Sequence, residues 1–500
     1  MSLTIREESR HIPLESEADV AVVGGGTAGV MAAVGAAREG AHTCLIERCG
    51  SVGGMLSTGL MGHFGNKYRS GDGRELVMGP PRDILECLVA SGATPYNTLN
   101  EALSEDLSIY YRHEHAAREC FRMLDEANVE LWLHAYFARA VSAPGAGYDL
   151  FFECKGGRRA IRARQVVDCT GEADVASSLG AAMQEDKTLR YSWGLIFEMG
   201  WVDLPRYEGF LKTCPASCPE WDAWLADRLG MTLEELGEDR YWREWLDGCQ
   251  RAWPFRPQIM RAVEAGAFDL VRRLPEGGMI RYGWDGFAPE PWHGVDAVTA
   301  NVCMVTGLDP SNPRHVTIAE TAARKYAYDF LLFLRKYLPG FEKAVIRTMS
   351  GQTVPRGGRE IVGESRLAPE DYSGKHIRED SICIVGSSGM GLPLGMFVPQ
   401  GIPNLLVAGR CADQGYSVRG SVCCMAAGFS CGIIAALAAR LGVTPMQVKR
   451  DEWRSALTRH GVLLAPGTAV PGFVPSDTRS ASRGLTPDRA DGLERASKLS

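Results

Sequence analysis

The sequence lacks a basic stripe, a cysteine framework and a leucine-rich span, and each absence narrows what its 500 residues can be. The formal net charge is −7, so nothing draws the chain to a phosphate backbone, and no nucleic-acid partner is expected. The opening "MSLTIREESRHIPLESEADV" mixes acids with bases. It has no basic region followed by an apolar one, so no secretory signal is read. The 15 cysteines show no scaffold spacing, and reduced thiols in a cytoplasmic protein are expected. "CPASC", Cys214 to Cys218, is not C-x-x-C, and no metal centre is expected there or elsewhere. "HEH", His113 to His115, lies in a helical stretch, where positions two apart point away from each other. Val20–Ala37 and Ser421–Ala439 are roughly as long as a membrane span. Both are rich in Gly and Ala, and both read as parts of a large buried α/β core, with no membrane partner expected.

What is present is ordinary globular composition, 45% hydrophobic and 23% charged, enough for two or three domains. "ADVAVVGGGTAGVMAAVGAAREG" begins as a buried strand and turns at Gly24-Gly25-Gly26-Thr27-Ala28-Gly29, a G-x-G-x-x-G. Gly24 permits the turn, Gly26 admits a pyrophosphate, and Gly29 lets helix and strand pack closely. The helix from Thr27 to about Glu39 aims its free N–H groups at the phosphates, and Gly40 ends it. A second strand, "HTCLIE", ends in Glu47, an acceptor for ribose hydroxyls that would repel a 2′-phosphate. At this point NAD and FAD remain equally possible.

Two later stretches separate them. "QVVDCTGEADVA" carries Thr170-Gly171 and Asp174 after an apolar strand. "NLLVAGRCADQGYSVRGSVCCMAAGFSCGIIAALAARLG" gives a strand, a turn at Gly409-Arg410 and a helix from Ser421. With "GGMLSTGL" and "TVPRGGREIVGESRLAPEDY", they resemble the FAD-dependent oxidoreductases with two dinucleotide-binding folds, of the xanthan-lyase-associated bacterial type. More distantly the chain is similar to the flavoprotein of fumarate reductase and succinate dehydrogenase. The resemblance runs from about Ala18 to Leu464 and implies FAD as cofactor. It implies cofactor contacts at Gly24, Gly26, Thr27, Ala28, Gly29, Glu47, Arg48, Gly54, Met55, Phe137, Thr170, Gly171, Asp174, Gly409, Arg410 and Ser421. The monooxygenase branch usually has G-D-A-A-H where this chain has Gly409-Arg410-Cys411-Ala412-Asp413, which argues against a hydroxylase.

The fold class expected is α/β: a discontinuous Rossmann-like FAD-binding domain with an inserted α+β substrate or cap domain. We place the first at 16–62, 95–185 and 380–442, and the second at 186–379. A C-terminal helix follows at 443–464 and a weakly ordered tail at 465–500. A helix is read from Ser104 to Ala127, a strand in "VELWLHAYFARAV", and a helix capped by Thr317 and Glu320 in "VTIAETAARKYAYDFLLFLRKYLPG". Nine of the 11 tryptophans lie between Trp193 and Trp292, as a cap core or as a pocket lining.

In such enzymes the flavin carries the redox step, and the protein orients substrate and moves protons. His63, on the loop leading from the pyrophosphate, is a candidate base or substrate ligand, or an ordinary loop histidine. Arg356 and Arg359 could bind a substrate carboxylate or stabilise reduced flavin, or pair structurally with Glu360 or Glu364. Arg419 invites the same two readings, and His293 is a cap candidate. The expected function is hydride transfer between flavin N5 and a small organic substrate. An ene-reductase direction and a non-catalytic FAD module are the alternatives, and a homo-oligomer is compatible with either.

Overall fold

The computed structural model describes residues 11–65, 68–70, 73–104, 108–143, 145, 147–185, 193–214, 218–238, 255–282, 287–288 and 297–465. His293 and the tail from 466 onward lie outside them. The described residues fall into two units. The first takes those of Met1–Ser57, Gly62–Glu185 and Arg359–Pro475; the second takes those of Thr58–Met61, Asp186–Gly358 and Ser476–Ser500.

The first unit is a mixed sheet between helical layers. In chain order it has β1 (Leu14–Val23), α1 (Thr27–Arg38), β2 (Thr43–Ile46), β3 (His63–Gly65), α2 (Pro80–Ala90), α3 (Leu99–Leu103) and β4 (Ser108–Tyr110). Next come α4 (His113–Glu126), β5 (Glu130–Trp132), β6 (Tyr136–Ser142), β7 (Tyr148–Cys154), β8 (Gly157–Asp168), α5 (Asp174–Ser178) and β9 (Met183–Glu185). The sheet order is β5-β2-β1-β8-β7-β6, and the strand Leu405–Val407 pairs with β8. The pairings β5-β2, β2-β1, β1-β8 and β8 with Leu405–Val407 are parallel, while β6 and β7 form an antiparallel flap. The parallel strands are near-continuous apolar runs because both faces are covered.

One of the covering elements is the helix Ser421–Leu441. By length and composition it could cross a membrane, yet it lies buried. Its small residues explain this. A Cβ on Gly428 or Gly432 would collide with the carbonyls of Ala28 or Ala32 on α1, and one on Gly35 would collide with the Phe429 carbonyl. The two backbones touch where other helices interpose side chains. At the far end of α1, buried Glu39 receives Arg440, Arg459 and His460. Burial pushes this carboxyl up, but the bonds from these partners bring it below its ordinary value.

The second unit is an antiparallel sheet with a helical cover. Its path is Val271–Arg273, Met279–Tyr282, Val298–Thr306, Trp193–Gly200 and Val345–Met349. The 25-residue helix Pro313–Tyr337 buries Ala319, Ala323, Tyr326, Phe330, Phe333 and Leu334 toward the core. Trp193 and Trp221 are fully inside that core. The aromatic stripe is therefore core.

Three local readings need correction. No single helix runs from Ser104 to Ala127: Ser104 is the C-cap of α3, and the β-branched and aromatic Ser108–Tyr110 pairs with β3 before α4 begins. "VELWLHAYFARAV" is two strands at opposite sheet edges, divided at His134, whose φ is 51°. The long helix starts at Pro313, where Asn312 accepts from the amides of Arg314 and His315, so Thr317 and Glu320 fall inside it. The sequence-based unit boundary at residue 380 also moves. Arg359–Ile361 pairs with β9, which brings 359–379 into the first unit.

Gly432→Ala should lower stability by about 1–3 kcal/mol, as overpacking does, despite alanine's better helix propensity. Urea denaturation checks this; a variant as stable as the parent contradicts the close-packing account.

Candidate functional site

The C-terminal ends of β1, β2 and β8 converge on the glycine turn. Gly24, at φ 97°, donates its amide to the Ile46 carbonyl (2.8 Å), and a Cβ there would strike the backbone of Cys169. Gly29 is held just as tightly, against the Gly24 carbonyl. Gly26 differs. It is the N-cap of α1, its side-chain position meets nothing within 4 Å, and no side chain caps the helix. Gly54 closes over it, its own Cβ position 2.9 Å from the Gly26 Cα, and the Gly53 amide bonds to the Gly25 carbonyl at 2.8 Å. The result is a space lined by main chain at the positive end of a helix, which fits a pyrophosphate. Thr27 and Ala28 form the first helical turn behind it, and Met55 continues the covering loop.

Glu47 follows β2 and is buried. Its Oε2 accepts from the Gly25 amide at 2.5 Å and its Oε1 from the Cys49 amide at 2.7 Å. Two fixed donors orient the carboxylate, and each oxygen keeps a lone pair for a ribose hydroxyl. Arg48 beside it is exposed. Phe137 sits on β6, at the edge of the sheet away from β2. The main chain that meets Glu47 belongs instead to Trp132 and Ala135, at 2.8 and 3.0 Å.

At the end of β8, Asp168 organises the next turn. Its Oδ1 accepts from the Thr170 amide (3.0 Å) and hydroxyl (2.7 Å), and its Oδ2 accepts from the Ala176 amide (3.0 Å). The Thr170 hydroxyl in turn accepts from the Asp174 amide at the start of α5. Complete burial pushes the Asp168 carboxyl up to about 6 despite these donors. Gly171 lies beneath the Arg410 guanidinium, which is ion-paired with Glu172. Burial raises Glu172 above its ordinary range, and Arg410 opposes that rise. Gly409 turns the chain at φ 103°, its Cβ position against the Ala28 side chain. Asp413, fully buried, accepts from Gln184 (2.7 Å), Arg366 (3.1 Å) and the Gly363 amide (2.9 Å). Ser421 opens the last apolar helix after Gly420, again without a side-chain cap.

The catalytic candidates separate. Arg356 belongs to the second unit, where its guanidinium lies over Gly194 beside Asn301 and meets Met304 Sδ at 3.3 Å. Arg359, Arg419 and His63 belong to the first. Arg359 pairs with Asp174 at 2.6 Å and donates to Ser177 at 2.8 Å, not to Glu360 or Glu364. Strand alternation explains this, since neighbours on a strand face opposite ways. Arg359 thus fastens α5 behind the Thr170-Gly171 turn. His63 lies on β3 with its ring 6.0 Å from that of Tyr110, and its Nδ1 is buried without a hydrogen-bond partner. Arg419 immediately precedes the helix cap, its carbonyl 3.3 Å from Cys424 Sγ. Burial holds the thiols of Cys169, Cys411 and Cys424 well up, so none is poised as a thiolate.

Asp168, Glu172 and Asp413 escaped the sequence reading. The available signal was an acid ending or following an apolar strand, in "QVVDC" and "GRCAD".

The chain matches the family described as FAD dependent oxidoreductase over residues 19–388 and 387–457. No curated protein matches its sequence. Solved structures similar to it include a geranylgeranyl bacteriochlorophyll reductase-like protein from Thermoplasma acidophilum. That pair shares 12% identity over 89% of this chain and 83% of the other, with a TM-score of 0.43. The anhydrotetracycline hydroxylase of Streptomyces rimosus is similar at 11% identity, 89% and 66% coverage and a TM-score of 0.40. The p-nitrophenol 4-monooxygenase of Pseudomonas putida is similar at 10% identity, 89% and 85% coverage and a TM-score of 0.37.

Two glycine variants should part company. Gly26→Val meets open space, so it should keep its fold while losing bound dinucleotide at least tenfold. Gly29→Ala should lose stability itself. Thermal unfolding beside cofactor content checks this, and a Gly26→Val chain that retains cofactor contradicts the cradle. Asp168 gives a pH signature. Its folded pKa lies above the unfolded value of about 3.9, so the native chain binds more protons and stability falls as pH rises from about 4 to about 6. Asp168→Ala should remove that fall and cost about 2 kcal/mol or more by stranding three donors. Denaturant titrations across this range decide it; an unchanged slope contradicts the assignment.

Proposed function

The chain belongs to the FAD dependent oxidoreductase family, and from that premise we propose that it transfers a hydride between the flavin and a small organic substrate. The observation that carries the reading is the uncapped, open cradle at Gly26, with Glu47 fixed beside it and the Thr170-Gly171 and Gly409-Arg410 turns held by buried acids. Gly24 to Gly29 and Gly54 would hold the pyrophosphate, Glu47 the ribose, and the two later turns the remainder of the cofactor. When bound, FAD supplies the two-electron acceptor or donor.

The protein's own residues must then bind substrate and move protons. His63 is the proposed proton carrier. Its Nδ1 is buried without a hydrogen-bond partner, and an imidazole nitrogen can accept or donate a proton. Arg419, in the same unit as His63, is the proposed carboxylate binder, since a guanidinium meets a carboxylate with two parallel bonds. Arg359 is reassigned to positioning, because Asp174 and Ser177 already occupy it. The absence of the hydroxylase G-D-A-A-H sequence favours dehydrogenation or reduction over oxygen insertion. A cytoplasmic location and a small-molecule partner fit this reading.

The test is an anaerobic screen of small carboxylated and uncharged metabolites, following bleaching of the flavin absorption. A substrate should bleach it reversibly. His63→Ala should keep full flavin content and slow that bleaching by roughly 10²-fold, as loss of a proton-transfer group does. A yellow chain that dithionite reduces but no metabolite does, or a His63→Ala chain of parental rate, overturns the proposal in its respective part.

A further inference from the structure

Away from the glycine turn, toward the other end of the same strands, three side chains of different chemistry meet. His42 immediately precedes β2, Cys44 is its second residue, and Glu130 opens β5, in register opposite Cys44. Their donor atoms all lie within 4.8 Å of one another. His42 Nε2 is 3.3 Å from Glu130 Oε2, and Cys44 Sγ is 3.1 Å from the same oxygen. Tetrahedral bonds of about 2.0–2.3 Å separate ligand atoms by about 3.3–3.7 Å, so these spacings approach the edges of a zinc polyhedron.

The surroundings are also those of a metal site. His42 Nδ1 faces the Glu17 carbonyl at 3.0 Å, so that nitrogen carries the hydrogen. The other ring nitrogen, Nε2, faces the Glu130 carboxylate oxygen that Cys44 Sγ also meets, so all three donors converge on one point. A ring hydrogen given to a backbone carbonyl is the usual outer support of a metal-binding histidine. Glu130 is supported as well. Trp132 Nε1 donates to its Oε1 at 2.9 Å and the Ser16 hydroxyl to its Oε2 at 2.7 Å. Burial pushes this carboxyl up, but the bonds from Ser16, Cys44 and Trp132 and the nearby His42 leave it below its ordinary value. Ser16 Oγ also lies 3.5 Å from Cys44 Sγ, leaving a fourth position for that hydroxyl or for water.

We propose that His42, Cys44 and Glu130 bind a divalent cation of the zinc class, which ties the start of β2 to the edge strand β5. The sulfur and nitrogen select a borderline-soft ion over magnesium or calcium. On binding, the Cys44 thiol gives its proton to solvent as the metal–sulfur bond forms, and no electrons change hands. His42 and Cys44 flank Thr43 at the start of β2, but Glu130 lies 86 residues beyond Cys44 and meets them only through strand pairing, which is why sequence alone gave no metal centre.

The test uses the purified full chain, reduced and freed of metal with a chelator. Zn²⁺ binding is followed by calorimetry, and Co²⁺ serves as a spectroscopic probe whose tetrahedral bands lie to the red of the flavin. The parent should bind one tight Zn²⁺, show a sulfur-to-cobalt charge-transfer band, and unfold at a higher temperature with metal. His42→Ala, a change at an exposed position, should weaken zinc at least tenfold and abolish the thermal gain while flavin content stays constant. Cys44→Ser should lose the sulfur band. Equal zinc affinity in the parent and His42→Ala, or no tetrahedral cobalt spectrum in the parent, overturns the proposal.

Discussion

Main-chain contact without intervening side chains sets the first unit. Along α1, the Gly24 carbonyl rests against Gly29, the Ala28 and Ala32 carbonyls against Gly428 and Gly432, and Gly35 against the Phe429 carbonyl. A Cβ at any of these glycines would push the helix away from its neighbours. The helix is therefore fixed in position and direction, and its amide-rich start is presented at Gly26, where nothing fills the space. A preorganised anion site needs this rigidity, because donors that must reorganise lose their electrostatic advantage.

Buried acids do the second part of the work. Glu47, Asp168, Glu172 and Asp413 each end or follow an apolar strand, and each is satisfied by main-chain amides or by arginine. A buried carboxylate without such partners would be costly. With them it locks the loop that supplies them. In this way strands from distant parts of the sequence end in fixed turns. The arginines divide along the same line. Arg359 and Arg410 hold Asp174 and Glu172 and so fix the turns of the first unit, while Arg356 belongs to the second unit, over Gly194.

How much of this could be read from sequence follows from how local each signal is. The glycine turn, α1 and Glu47 were legible because φ, close approach and strand ends are written within some 30 residues. The apolar helix Ser421–Leu441 was legible as core from its glycines and alanines. The partnerships Arg410–Glu172 and Arg359–Asp174 were not, since they join residues nearly 200 or more apart. Helix starts failed for a local reason: at Asn312-Pro313 a better cap preceded the box at Thr317 and Glu320. The strand carrying Phe137 failed because a left-handed residue, His134, divides an otherwise continuous β-rich run.

The most direct measurement is release of the bound nucleotide from the purified chain by acid or heat, with identification by mass and quantitation per chain. The account predicts FAD, at one per chain. NAD or NADP in that position, or a folded chain that neither carries FAD nor takes it up when supplied, would contradict it.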